Sequence, residues 1–342
     1  MTAPAFAPHA LALALSIALA ACSSSTAEFD QPDIADTSPP LLLEGTSYEA
    51  AAKVQLPPVQ PAEEAGLHHV FKLSDGIISG AEPADPEALE RLANWGVKTI
   101  LSVDGKVPDA ATAEALGMRY VHVPSQYSGI DREELLEISK TFRELEGPFY
   151  VHCFHGKHRG PAAAAIGRVV LDGVPRDQAI AEMRQWCATS SKYEGLYSTV
   201  ATAHIPTPEE SRANDFDFSP AHSFEGMRAG MIEMTRKWDL VKASKARGWA
   251  VDPEHPDVDP LQEATQLHQV FTACEDLKST EAWADDFRVW LRDGVEGSET
   301  LVRALSLCSQ EGENETTWRA MAGQAYDQVA KSCADCHAAY RD

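Results

Sequence analysis

The last ten residues of the chain contain Cys333-Ala-Asp-Cys336-His337, and no other segment restricts the fold so far. Two thiols three residues apart, followed directly by an imidazole, are the pattern on which c-type haem is attached. Each sulfur forms a thioether with a porphyrin vinyl group, and the histidine becomes the proximal iron ligand. One covalent haem c is therefore the expected cofactor, with His337 as axial ligand. Such a site must ride on an ordered segment, and the residues upstream provide it. Trp318, Met321, Ala322, Ala325, Tyr326, Val329 and Ala330 recur at spacings of three and four, which predicts a long amphipathic helix ending in the motif.

The same periodicity appears three more times. Leu267, Val270, Phe271 and Cys274 form one stripe, and Trp283, Phe287, Trp290 and Leu291 begin another that continues through Leu301 and Leu305. Phe224, Met227, Met231, Met234, Trp238 and Val241 form the third. Four helical segments with short connections predict an all-α four-helix bundle over 221–342. With its haem motif at the extreme C-terminus, this segment resembles the cytochrome c′ family. The resemblance implies thioethers at Cys333 and Cys336, His337 as proximal ligand, and a distal face lined by the first helix, where Met231 is the expected residue. Met231 either ligates the iron or is flexible core filler, and a vacant sixth position favours a small gas such as NO or CO.

A second motif lies mid-chain. The apolar run Phe149-Tyr150-Val151 ends in His152-Cys153, five residues follow (Phe154, His155, Gly156, Lys157, His158), then Arg159, then a small-residue segment from Pro161 to Leu171. This reads as strand, loop, helix. The N–H groups of such a loop and the helix N-terminus form an anion site, whose field favours the thiolate form of a cysteine. The fork of Arg159 can hold two phosphoryl oxygens. The implied chemistry is attack of Cys153 on a phosphate ester through a phosphocysteine intermediate.

These residues resemble the cysteine-dependent phosphatases of the dual-specificity and protein-tyrosine type, whose loop is His-Cys-(five residues)-Arg. Ile77–Pro83, Leu89–Ile100 and Tyr120–Pro124 look like that family's early strand and turn, first helix and strand, and strand before the acid loop. The resemblance implies a phosphatase-like α/β domain over 66–204, a mostly parallel sheet flanked by helices, and a phosphorylated or other oxyanion substrate. Two departures stand out. The family's Ser or Thr after the loop arginine is Gly160 here, and the loop from Ser125 to Asp131 lacks the aspartic general acid. Asp131 is the nearest acid, although it also fits the first turn of a helix over 131–145. Loss of a general acid typically removes about 10²–10⁴-fold in rate, so good leaving groups, or oxyanion binding without turnover, become alternatives. Rhodanese-like sulfur chemistry on Cys153 is another, and His152, His155 and His158 are an alternative metal site.

The apolar run Leu11–Ala21, followed by Cys22 and three serines, has the length of a signal-peptide core and is too short for a membrane span. Leu19-Ala20-Ala21-Cys22 looks like a lipoprotein cleavage box, so 1–22 is expected as signal peptide with Cys22 lipidated. Residues 23–65 are rich in Ser, Pro, Ala and acids and read as a flexible tether, and 205–220 as the interdomain linker. A net charge of −23 excludes nucleic acid as a partner and leaves the membrane to the lipid anchor alone. Cys274 and Cys308 fall on different helices and either bridge or stay as free thiols. The expected protein is exported, periplasmic and lipid-anchored, the outer membrane favoured. It pairs a phosphomonoesterase centred on Cys153 and Arg159 with a haem that senses redox state or gas, or that exchanges electrons with a periplasmic redox partner. A homodimer through the bundle is a further expectation.

Overall fold

The computed structural model describes residues 38–224, 226–256, 258–309 and 315–340. The expected signal peptide, with Cys22, lies outside them, as does the expected tether up to residue 37. Six strands form one mixed sheet: β1 (Ala62–Glu64), β2 (Leu67–Lys72), β3 (Ile77–Ala81), β4 (Thr99–Ser102), β5 (Arg119–His122) and β6 (Phe149–Cys153), in the order β1-β2-β3-β6-β4-β5. β3, β6, β4 and β5 are parallel, and β1 and β2 add an antiparallel edge.

Neighbouring residues on the central strands point to opposite faces, as a pleated strand requires. Ile77, Leu101, Val121 and Val151 enter one core, and Ile78, Ile100, Tyr120 and Tyr150 enter the other. The strands are apolar on both sides because helices cover both faces. α1 (Ser47–Ala50), α4 (Arg132–Glu144), α5 (Arg159–Val170), α6 (Arg176–Gln185) and α7 (Glu194–Thr202) lie on the first face, and α2 (Pro86–Asn94) and α3 (Ala110–Ala115) on the second. The register pairs Ala81 with Cys153 and Ser102 with His152. The segments leaving β3, β4 and β6 therefore emerge together at the carboxyl edge, where open α/β sheets bind ligands.

Two expectations about the connecting segments are corrected. Residues 38–65 are docked rather than tethered: Leu41 N donates to Ala201 O (2.9 Å), Gln185 Nε2 donates to Ala51 O (3.1 Å) and Val54 O (2.6 Å), and Ala50 and Ala51 are buried. Residues 205–220 are no free linker either. Ile205 is buried, α8 (Pro208–Ala213) folds within the segment, and Lys140 Nζ donates to Ser211 O (3.3 Å) and Asn214 O (2.9 Å). Backbone carbonyls bonded by side chains far along the chain leave no compositional trace.

Beyond residue 225 the chain forms α9 (Gly226–Ala246), α10 (Pro260–Asp276), α11 (Asp285–Ser306) and α12 (Glu315–Tyr340) around one core. Glycines let these helices close up. A Cβ on Gly294 would lie 2.3 Å from Phe271 of α10, and one on Gly297 2.9 Å from Val329 of α12. Trp238 of α9 stacks on Tyr326 of α12 at 4.6 Å. Cys274 and Cys308 are free thiols, the first buried and the second exposed. Among the described residues no helix is long and apolar enough to cross a membrane.

Candidate active site

Cys153 ends β6 and Arg159 begins α5, each only 3% exposed. The loop between them turns at Gly156, whose φ of +68° suits glycine; a Cβ there would lie 2.3 Å from Gly80 C and 2.5 Å from Ala81 N. Gly160 packs the first turn of α5 onto the backbone of Cys153, because a Cβ there would lie 3.0 Å from Cys153 N. The missing Ser or Thr thus coincides with a close helix–strand approach.

Arg159 Nη2 donates to Asp104 Oδ2 (2.6 Å) and to Tyr127 Oη (2.9 Å), and the Tyr127 ring lies 4.1 Å from the guanidinium carbon. Burial alone would lower the Arg159 pKa, but Tyr127, Asp104 and Cys153 hold the guanidinium firmly charged. Its Nε is buried with no hydrogen-bond partner. A buried charged donor left unsatisfied is costly. Here it stands at the N-terminus of α5 beside Cys153, where a phosphoryl oxygen would satisfy it.

Asp104, just past β4, is the residue that sequence reasoning missed. Its Oδ2 also accepts from Phe154 N (3.3 Å), and its Oδ1 accepts from Lys106 N (2.9 Å), Gln262 Nε2 (2.8 Å) and Gln266 Nε2 (3.3 Å). Burial pushes its pKa up, but Arg159, the Lys106 amide, Lys237 and Gln262 more than offset this and hold it at about 2. Asp104 is a positioning residue: it fixes the guanidinium and the first amide of the loop together. The register of β4 beside β6 brings it there. The local sequence Ser102-Val-Asp-Gly carries no signal for this.

Two histidines lock the surroundings. His122 bonds the Asp104 carbonyl through Nε2 (2.8 Å) and accepts from His222 N through Nδ1 (3.0 Å), while burial lowers its pKa to about 4. His152 bonds Tyr120 Oη through Nε2 (2.7 Å), and burial lowers its pKa to about 3. Both are neutral at pH 7. Among the described residues no group of three or more His, Cys, Asp or Glu side chains is placed to hold a metal ion, so the three-histidine alternative is not assembled. Asp131 is a further correction. It is exposed and caps α4, its carboxylate accepting from Glu133 N (2.9 Å) and Glu134 N (3.0 Å). The dipole of α4, not the anion loop, claims its charge.

The helical region contributes to this site. Besides Gln262 and Gln266, α10 places Glu263 there, and α9 places Lys237, which bonds Gln266. Lys237 and Glu263 are both buried. The phosphatase-like loop is thus walled by side chains from beyond residue 225.

A cavity of about 250 Å³ lies within the helices, lined by Cys333, Cys336 and His337 of α12, by Met231 and Trp238 of α9, and by apolar side chains of α10 and α11, among them Phe271 and Phe287. The donor set fits a c-type haem: both thiols are free and face a largely apolar space together with the imidazole. Met231, expected on the distal face, lines the same space.

No protein-family model matches the chain. Over 119 residues it is 29% identical to the dual specificity protein phosphatase TpbA of Pseudomonas aeruginosa strain UCBPP-PA14, a match covering 34% of this chain and 54% of that protein. The TpbA of strain PAO1 is 28% identical over 118 residues, covering 34% and 53%. The chain is therefore related to a cysteine-based phosphatase over about a third of its length. It spans about half the length of the curated relatives it matches. The crystal structure of P. aeruginosa TpbA aligns with a TM-score of 0.37 at 24% identity, covering 45% of this chain and 94% of that one.

Proposed function

We propose that the chain hydrolyses phosphomonoesters through a phosphocysteine on Cys153, and that it carries a c-type haem on Cys333 and Cys336. The observation that carries the first part is the buried, unpartnered Nε of Arg159 beside Cys153, on a guanidinium whose Nη2 is already anchored by Asp104 and Tyr127. That arrangement presents a fixed, charged donor to an incoming oxyanion and costs no reorganisation when charge develops in the transition state. The relatedness to TpbA supports the same chemistry.

The haem reading rests on the shared cavity of Cys333, Cys336 and His337. When bound there, the haem supplies one-electron transfer or a site for a small gas. Cys333 and Cys336 would hold it, His337 would orient it, and Met231 would line the space it fills. Export follows from the same proposal, since c-type haem is attached outside the cytoplasm, and Cys22 after Leu19-Ala20-Ala21 would be its lipid anchor. Coupling between the two sites is supported by α9, where Trp238 lines the cavity and the adjacent Lys237 reaches the cluster around Asp104.

The test is hydrolysis of a panel of phosphoesters by the haem-loaded protein, beside Cys153→Ser and a Cys333→Ser/Cys336→Ser double variant. Turnover lost in the first variant, and covalent haem lost in the second, support the reading. Absence of turnover on every ester, with vanadate still bound, makes the middle domain an oxyanion-binding module.

A further inference from the structure

The phosphatase-like domain lacks an acid where its loop should carry one. Asp131 caps α4, and Asp104 is held ionised by Arg159. An acid does reach the site from the other half of the chain. Glu263 follows Gln262 on α10, and Gln262 Nε2 donates to the same carboxylate that anchors Arg159. Glu263 is 2% exposed, and its Oε2 is buried with no hydrogen-bond partner. Two buried polar atoms of opposite character are left without partners among the groups around Asp104: the Nε donor of Arg159 and the Oε2 of Glu263, whose side chains feel each other's charge. A phosphomonoester dianion with a departing alkoxide or phenoxide needs both, a cationic donor on the phosphoryl oxygens and a proton donor on the bridging oxygen.

We propose that Glu263 is the proton donor to the leaving group, supplied to the Cys153 loop by the helical region. The proposal rests on the phosphatase reading above. As the Cys153 sulfur bonds to phosphorus, the bond from phosphorus to the leaving oxygen breaks and that oxygen takes the proton of Glu263. Water then attacks the phosphocysteine and gives a proton back to the Glu263 carboxylate, and inorganic phosphate leaves with the thiolate restored. No electrons are exchanged. Four charged groups face Glu263: Lys237 from α9, Arg159 from α5, Asp104 from the segment after β4, and Asp259 at the start of its own helix. Burial raises its pKa to about 7 against the opposing pull of Lys237 and Arg159, with Asp104 adding to the rise. A carboxyl in this range is matched to proton transfer near neutral pH.

The experiment compares Glu263→Gln with the wild-type holoprotein on two aryl phosphates, 2,4-dinitrophenyl phosphate, whose leaving group needs no proton, and phenyl phosphate, whose leaving group does. Expected are a fall in kcat of about 10²–10⁴-fold on phenyl phosphate and less than about threefold on the dinitrophenyl ester. In the wild type, kcat on phenyl phosphate falls as pH rises through about 7, and Glu263→Gln removes that limb. Glu263→Asp restores part of the rate and the limb. Equal losses on both esters, with the limb retained, would make Glu263 a structural member of the interface and overturn the proposal, as would unchanged turnover on phenyl phosphate. Wild-type protein inactive on both esters, while Cys153→Ser still binds vanadate, would overturn the phosphatase reading itself.

Discussion

Replacing Asp104 with Asn tests how the site is held together. The carboxylate accepts from five donors, one of them the Arg159 guanidinium at 2.6 Å. An amide can accept at only one of its two ends, so its NH2 must face donors on the other. It also leaves the Arg159 charge buried beside a neutral group, and breaking a buried pair costs about 3–5 kcal/mol. Part of that sum depends on pH. The ordinary value for this carboxyl is 3.8, and the folded protein holds it at about 2. At about 1.4 kcal/mol per tenfold change, the difference is worth roughly 2.5 kcal/mol. The folded value is depressed, so this stability is fully present above pH 4 and is lost as pH falls toward 2. Linkage places about 1 kcal/mol of the loss between pH 6 and pH 3. Urea unfolding of wild type and Asp104→Asn at both pH values reads the gap directly, and the subtraction removes the titration of other carboxylates. The gap should exceed about 3 kcal/mol at pH 6 and narrow by about 1 kcal/mol at pH 3. A gap below about 1 kcal/mol at pH 6, or one that does not change with pH, would refute the assignment of Asp104 as the anchor of Arg159.

Gly156→Ala should destabilise the middle domain by at least about 1–3 kcal/mol, because the added Cβ meets the backbone of Gly80 and Ala81 at a positive φ; urea unfolding with an anion-binding titration checks it. Tyr127→Phe removes one acceptor from Arg159 Nη2 and keeps the ring, so vanadate should bind about fivefold more weakly, corresponding to roughly 1 kcal/mol. Gly294→Leu should cost about 1–3 kcal/mol by forcing α11 from Phe271 of α10, read as a lower thermal midpoint.

Much of the scaffold is legible in the chain itself. The alternation through Ile77-Ile78, Ile100-Leu101 and Tyr150-Val151 marks a sheet buried on both faces, and the three-and-four spacing of Trp318 to Val329 marks a helix, because both periodicities are local. The spacing from Cys153 to Arg159 and from Cys333 to His337 likewise places each chemical group with its partners, since five or fewer intervening residues leave the backbone little choice. Asp104, Tyr127 and Glu263 carry no such mark. Asp104 meets Arg159 through the pairing of β4 with β6, 55 positions apart in sequence. Gln262 crosses 158 positions to reach Asp104. Segments that read as tether and linker, 38–65 and 205–220, are fixed by Arg176, Gln185 and Lys140 donating to their carbonyls, bonds that the acceptor segment's composition cannot reveal. The sequence by itself determined the two motifs and the elements that bear them. Only the tertiary structure decided which acid stands near the anion loop, because burial, charge pairing and orphaned hydrogen-bonding atoms are properties of surfaces that meet after the chain has folded.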